Sequence, residues 1–346
     1  MLALAFAPPV LAATSLTRHG VTWTFDRDYR SGTFVNGDPW VVGPVTIRTI
    51  SPRDPDLTDD IDLHGTVINP LPVRRSPYRQ SWDSRINGGT TYDRAANVAR
   101  ALPLRVEVDS SVVSVVSRDA VGEDRLVLSD AAVLTVLEEE PPPGSFRPPY
   151  AGTDKRILGR VSDLDFSRFH SLPRVSGAPS LNSLNGKFEQ VLLDVIGQWP
   201  NTTLKTANAG PAYGRDIAQE VNDAVLSLNL NYSVAQKEPL LIKLVQRGLD
   251  TYGLARNGMV WWPNGGHNCG RKLPLLIAGL ALNRPEILEY GDAQRHFIFQ
   301  EDMQHWYLGE SDLTTPRADA TLLAYTADLL GVAEWASNPV TERDQT

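Results

Sequence analysis

The sequence has 346 residues, of which 42% are hydrophobic, 33 are Lys or Arg and 41 are Asp or Glu, so the formal net charge is −8. This length provides for a sizeable core and for about two domains. The acidic balance and the lack of a basic run argue against nucleic acid and anionic membrane surfaces as partners. The single cysteine, Cys269, excludes an intramolecular disulfide.

The N-terminal segment, residues 1–13, reads MLALAFAPPVLAA and closes on small residues. This pattern is typical of the apolar region and cleavage site of a signal peptide, although the positively charged start is missing. We therefore expect a secreted or periplasmic protein; the alternative is an apolar N-terminal strand. The run is too short to span a membrane and no later segment is long enough, so we expect no membrane span.

Residues 14–137 carry the patterns of β-strands. Apolar and polar residues alternate in several short runs, and Asn36-Gly37 supplies a turn signal between two of them. The interval 51–100 is rich in Asp, Arg, Pro and Gly and predicts long irregular structure. Together these features predict an antiparallel β-sandwich-like domain. The predicted strands lie at residues 21–25, 40–47, 104–108, 112–116, 126–128 and 132–137.

A proline-rich linker is predicted at residues 138–150, because proline cannot continue a strand ladder. After it the hydrophobic period changes to that of helices, with Pro239 and Pro274 each expected in a first turn. Residues 151–346 are therefore predicted to form an α-helical domain, a partial (α/α) toroid. The predicted helices lie at residues 188–196, 215–228, 239–249, 274–282 and 317–335.

Two cations lie close to the start of the helix that contains Pro274. Arg271 and Lys272 follow a glycine-rich loop, at a position where the helix dipole disfavours positive charge. Something negative should therefore offset them. Either a substrate carboxylate binds there, or an internal salt bridge forms to an acid such as Asp250, Glu301 or Asp302.

The same loop carries other candidate site residues. Trp261 and Trp262 could stack on sugar rings, and we expect one in the core and the other at a cleft. His267 lies among glycines and is a candidate for a catalytic or substrate-binding role, with a structural hydrogen bond as the alternative. Asn268 is counted with the substrate-binding residues. His267 and Cys269 lack a second ligand pair, so neither a metal nor another cofactor is expected.

A second candidate cluster combines two acids, an amide and two aromatic residues, which is typical of a cleft lining. Glu301 and Asp302 could act as acid and base in glycoside hydrolysis, and Tyr307 could transfer a proton in β-elimination. Gln304 and Trp306 are candidates for substrate binding. The alternative is a solvated loop with an aromatic anchor.

A third candidate group stands at the start of the helix predicted at 215–228. Tyr213 is a candidate catalytic residue and Arg215 a candidate substrate-binding residue, and both could face the same cleft. Asp216 is explained by helix formation alone, because acids are favoured in a first turn.

Two features carry a resemblance to a known family. One comprises HGVTWTFD at residues 19–26 with NGDPWVVGP at 36–44, and the other GGHNCGRK at 265–272 with FQED at 299–302. They resemble secreted bacterial proteins that combine a β-sandwich with an (α/α) toroid, similar to alginate lyases and heparinase II/III-like polysaccharide lyases. The domain order is reversed relative to many of those lyases. The resemblance implies tyrosine and histidine as acid and base.

These observations favour a carbohydrate-active enzyme whose partner is a polysaccharide or oligosaccharide. The leading hypothesis is a lyase that cleaves an acidic, uronate-containing glycan. The alternatives are a glycoside hydrolase that uses paired carboxylates, with Asp250 as a possible partner acid, and a non-enzymatic glycan-binding surface protein.

Overall fold

The protein is described by a computed structural model that covers residues 11–58, 60–119, 126–314 and 324–335. A large curled mixed sheet is followed by helices, which confirms a β-rich first part and a helical second part. Most of the predicted signal peptide lies outside the described residues, and its last three residues begin the first strand. The strands of the sheet are β1 (Leu11–Arg18), β2 (Val21–Thr33), β3 (Pro39–Val42), β4 (Val45–Ser51), β5 (Thr66–Ile68), β6 (Leu104–Val106), β7 (Ser110–Ser117) and β8 (Leu128–Leu137).

The strand order of the sheet is β5-β7-β8-β3-β2-β4-β6, with β1 paired to the long strand β2. All pairs but one are antiparallel. β3 runs parallel to β8, with Trp40 opposite Thr135, so the sheet is mixed and the prediction of a purely antiparallel sheet was wrong. The turn predicted at Asn36-Gly37 lies between β2 and β3, and Gly37 has a φ of 85° there.

Strands β7 and β8 are largely buried on both faces. Val112 and Leu134 belong to a core cluster with the other strands, whereas Val113 and Val133 belong to a cluster with the helices. Successive side chains of a strand point to opposite faces, so this alternation follows from the period of two. The continuous apolar runs of these strands reflect burial on both sides.

The helical part begins after residue 180. Helix α3 matches its prediction, since it buries Ile217, Val221 and Ala224 along one face. In contrast, α4 begins before Pro239 at a capping box between Ser233 and Gln236, so the expectation of proline in the first turn was wrong there. The helices are α1 (Leu181–Lys187), α2 (Asn201–Leu204), α3 (Gly214–Leu228), α4 (Val234–Arg256), α5 (Lys272–Ala281), α6 (Pro285–Glu289) and α7 (Gln300–Gln304).

None of the described helices is both long and apolar enough to cross a membrane.

Two predicted helices differ from the structure. Residues 188–196 form no helix but an extended, largely buried segment. Its backbone bonds to residues distant in sequence; for example, the Asp194 N–H donates a hydrogen bond to the Tyr150 hydroxyl at 3.1 Å. Of the helix predicted at 317–335, residues 317–323 lie outside the described residues. The part from 324 onward contains one 3₁₀ turn and strand β10 (Ala333–Trp335), which pairs with β9 (His305–Tyr307). Tertiary pairing overrides the helical spacing in both segments.

The proline-rich segment is exposed only in its first half. Phe146 and Tyr150 are fully buried and lie in the same core cluster as the helices and one face of β7 and β8. The buried Arg147 guanidinium joins Asp38 of the β-rich part to Asp250 of α4, at 2.6 Å in both cases. The predicted limits 138–150 thus mark a change of secondary structure across which the packing is continuous.

Helices α4 and α5 approach each other closely at Gly248. A Cβ atom at this position would lie 2.1 Å from the carbonyl oxygen of Pro274 and 2.7 Å from Cβ of Ala278. Such distances are far below van der Waals contact, so only glycine allows this approach. The close contact places the start of α5, and with it Arg271, against the middle of α4.

We predict opposite effects for alanine at two helical glycines. Gly248→Ala should destabilise the protein by about 1–3 kcal/mol through overpacking. Gly186→Ala, at an exposed position of α1, meets open space and should stabilise the protein by up to about 1 kcal/mol through helix propensity. Urea unfolding of the two variants tests this, and a Gly248→Ala protein as stable as Gly186→Ala would show that the two helices do not pack as described.

Candidate functional site

Amide side chains hold the glycine-rich loop before α5, residues 264–271, in place through hydrogen bonds to its backbone. Gln300 of α7 accepts a hydrogen bond from the Asn268 N–H at 2.8 Å and donates to the carbonyl of Gly265. Gln304 donates to the same carbonyl at 3.2 Å. Asn268 is fully buried and donates to the carbonyls of Gly197 and Trp262 at 3.1 and 2.8 Å. Asn268 and Gln304, predicted to bind substrate, therefore hold the loop in place.

One of the two tryptophans of this loop lies in the core, as predicted. Trp261 is fully buried, stacks on Phe299 with ring centroids 4.9 Å apart, and donates its indole N–H to Asp194 at 2.7 Å. Trp262 is half-buried. Of the pair, Trp262 alone retains a surface that a ligand could contact.

The Arg271 guanidinium is 1% exposed and forms a bidentate salt bridge with Asp194, with Nε–Oδ2 and Nη2–Oδ1 distances of 3.0 Å each. Its Nη1 donates to the carbonyl of Cys269 at 2.5 Å. The partner of the Arg271 side chain is therefore a buried acid of the protein. It is not one of the three acids considered from the sequence, which were Asp250, Glu301 and Asp302. This geometry favours the internal salt bridge over substrate binding at Arg271.

Asp194 also binds a second cation, the fully buried Lys205, at 2.5 Å, and accepts a hydrogen bond from Asn201. Burial alone would raise the pKa of Asp194, but the charges of Arg271 and Lys205 outweigh it and hold that pKa well below its usual value. Burial lowers the pKa of Lys205 to about 7 in spite of Asp194, because Arg271 already neutralises the same carboxylate.

The start of α5 is completed by carboxylates of α7. Glu301 accepts hydrogen bonds from the backbone N–H groups of Gly270 and Arg271, at 2.8 and 3.2 Å. Lys272 forms a salt bridge with Asp302. Protein carboxylates thus supply the negative charge that the sequence pattern requires at this helix end. Burial raises the pKa of both Glu301 and Asp302.

His267 and Tyr213 lie together on the outer side of the loop. Their ring centroids are 4.8 Å apart, edge to face, and the Tyr213 hydroxyl accepts a hydrogen bond from the Gly266 N–H at 3.0 Å. Burial, and then the charge of Arg271, lower the pKa of the half-buried His267 imidazole. The Arg215 guanidinium lies 5.3 Å from the Tyr213 ring centroid, and its side chain is 74% exposed. This group combines a neutral imidazole, a phenol and an accessible cation.

The remaining candidates lie on β9, which continues directly from α7. Tyr307 is 73% exposed and pairs with Ala333 of β10, whereas Trp306 is half-buried. Of the cluster predicted at 299–307, the α7 residues pack against the loop, while Tyr307 belongs to a two-stranded sheet of β9 and β10. The structure therefore brings His267 next to Tyr213, whereas Tyr307 lies in the pair of strands β9 and β10.

Sequence reasoning missed two of the buried charged residues, Asp194 and Lys205, that bind each other beside Arg271. For Asp194 a signal was available, since it is an isolated charged residue inside the apolar run Val191-Leu-Leu-Asp194-Val-Ile196. A charge in such a run is buried and must be paired. Asp250, considered as a catalytic partner acid, is buried against Arg147 instead.

No protein-family model matches this chain, and neither a curated protein nor a solved structure resembles it significantly. Within the described ranges, no three His, Cys, Asp or Glu side chains converge in a way that could hold a metal ion.

Lys205 leads to a prediction about pH. Its pKa is about 7 in the folded protein and near 10.5 in the unfolded chain, so between these values the unfolded state binds more protons and stability rises with pH. Lys205→Met should reduce the slope of the unfolding free energy against pH by up to about 1.4 kcal/mol per pH unit.

Urea unfolding at pH 7, 8 and 9 measures this slope. Lys187→Met, at a side chain that is 40% exposed, is the matched control. Equal slopes for Lys205→Met and the unmodified protein would mean that Lys205 keeps its proton throughout this range.

Proposed function

We propose that the protein is a carbohydrate-active enzyme, a polysaccharide lyase that cleaves an acidic, uronate-containing glycan by β-elimination. The observation that supports this is the pairing of the His267 imidazole with the Tyr213 phenol, beside the exposed Arg215. The proposal includes a secreted or periplasmic location, a polysaccharide or oligosaccharide partner, no cofactor, and the finer architecture of a β-sandwich with a partial (α/α) toroid.

The proton transfers of such a reaction fit the chemistry of these side chains. A neutral imidazole can accept the proton on the carbon next to the uronate carboxylate, and the lowered pKa of His267 keeps it neutral at pH 7. The electron pair then forms a carbon–carbon double bond as the bond to the glycosidic oxygen breaks. The Tyr213 hydroxyl protonates that oxygen, and the proton on His267 returns to Tyr213.

Charge stabilisation is assigned to the groups around this pair. The Gly266 N–H, at 3.0 Å from the Tyr213 oxygen, stabilises the phenolate that remains after proton transfer. Arg215 is the accessible cation that can bind the uronate carboxylate, because its one salt bridge to a described residue is a largely exposed one to Asp216. Arg271 and Lys272 are engaged by Asp194 and Asp302, so in this mechanism they position the loop.

A glycoside hydrolase remains the second candidate because of Glu301. Burial raises the pKa of this residue, as a general acid requires, and its Oε2 atom is buried with no hydrogen-bond partner among the described residues. The partner acid considered from the sequence, Asp250, is bound by Arg147. The hydrolase hypothesis therefore needs another carboxylate.

Incubation with a panel of uronate-containing glycans tests the proposal. We expect unsaturated products that absorb in the near ultraviolet, and a loss of about 100-fold or more in kcat for His267→Ala and for Tyr213→Phe. Arg215→Ala should mainly raise KM. New reducing ends without ultraviolet absorption would favour the hydrolase, and retention of glycan without cleavage would favour a binding protein.

The chain offers a matched control for this experiment. His296 stacks on Tyr290 with centroids 4.1 Å apart, so it repeats the same residue pair at another position. His296→Ala should keep full activity, and the circular dichroism of all variants should be unchanged. Full activity of His267→Ala would rule out the proposed site.

A further inference from the structure

A small cavity lies between the extended segment at 188–194 and helix α4. Its volume is about 20 Å³, and its lining includes Phe188, Glu189, Lys243, Arg247 and Asp250. A cavity needs about 10–15 Å³ to hold a single water molecule. This cavity can therefore hold one water molecule or one ion of similar size, and it is too small for a sugar ring. Lys243 and Glu189 form the rim, with side chains 20% and 42% exposed, and leave a route to solvent.

Arg247 is the unusual member of this lining. The residue is 7% exposed, and one face of its guanidinium lies over the Phe188 ring at 4.6 Å. Its one hydrogen bond to the described part of the protein is long, 3.5 Å from Nη2 to the carbonyl oxygen of Ala209. No carboxylate of the described residues lies within 4.0 Å of it, which leaves Nε and Nη1 as free donors.

The carboxylates around the cavity already serve other cations. A buried guanidinium without an acceptor is costly, whereas Arg147 and Lys243, the other cations of the lining, each form salt bridges with acids. Arg247 is therefore the cation of this lining that has no salt bridge to a described residue. The acid whose charge acts on it most strongly, Glu220, is itself paired with Lys187. The pairs are Asp38 with Arg18 and Arg147, Asp250 with Arg147, Asp194 with Arg271 and Lys205, and Glu189 with Arg18 and Lys243.

We propose that this cavity binds a monatomic anion of the halide class, such as chloride, against the free donors of Arg247. The size of the cavity selects a single atom over phosphate, sulfate or an organic carboxylate. The ion would receive N–H hydrogen bonds from Arg247 and would balance its charge where the extended segment meets α4. The site is independent of the proposed lyase activity, and its test uses no glycan.

Thermal unfolding of the full chain in sodium chloride and in sodium gluconate at equal ionic strength tests the site. Since a ligand that binds only the folded state stabilises it by mass action, Tm should rise with chloride by several degrees more than with gluconate. Arg247→Met should remove this difference. Arg256→Met, at the exposed end of the same helix, should keep it.

Equal responses to the two salts, or a chloride effect that persists in Arg247→Met, would overturn the proposal, since water alone would then fill the cavity. A second measurement covers the case in which Arg247→Met does not fold. Crystals of the unmodified protein soaked in sodium bromide should show an anomalous peak beside the Arg247 guanidinium, and a peak at exposed lysines with none at Arg247 would equally reject the site.

Discussion

The carboxylate of Asp194 is the point at which separate parts of the chain meet. It lies in the extended segment before α2 and is bound by Arg271 at the start of α5, by Lys205 after α2, and by the Trp261 indole. An isolated buried carboxylate would be strongly unfavourable, and burial of either cation alone would be costly too. Each of these segments is therefore confined to the position in which these charges meet.

This constraint determines what the glycine-rich loop can do. Because Arg271 is committed to Asp194, and Glu301 to the backbone at the start of α5, the inner side of the loop is a network of internal contacts. Its outer side, with His267 next to Tyr213, carries an imidazole, a phenol and the exposed Arg215. A loop fixed in this way holds the imidazole and the phenol at a defined separation, which the proposed acid–base chemistry requires.

The sequence allowed the local patterns to be predicted, and the structure shows where such patterns are insufficient. Short apolar runs predicted β7 and β8, and the 3.6-residue period predicted α3, because those signals reflect burial on two faces and on one face. Residues 188–196 have helical spacing but are extended, since their backbone partners lie elsewhere in the chain. The pattern at Arg271 and Lys272 required a negative partner, but spacing alone could not select Asp194, which is 77 residues away.

A double-mutant cycle on Asp194 and Arg271 tests the central claim most directly. Asp194→Asn should cost about 3–5 kcal/mol of unfolding free energy, because it leaves Arg271 and Lys205 buried without a counter-ion. Arg271→Met should cost about 1.5–3 kcal/mol, because Asp194 keeps Lys205 but loses its charged hydrogen bonds to Arg271. The double variant should cost less than the sum, with a coupling of about 2 kcal/mol or more, whereas the exposed pair Arg295 and Glu289 should give at most about 1 kcal/mol. Single losses at Asp194 and Arg271 that add to within about 0.5 kcal/mol would contradict the claim that this salt bridge organises the structure.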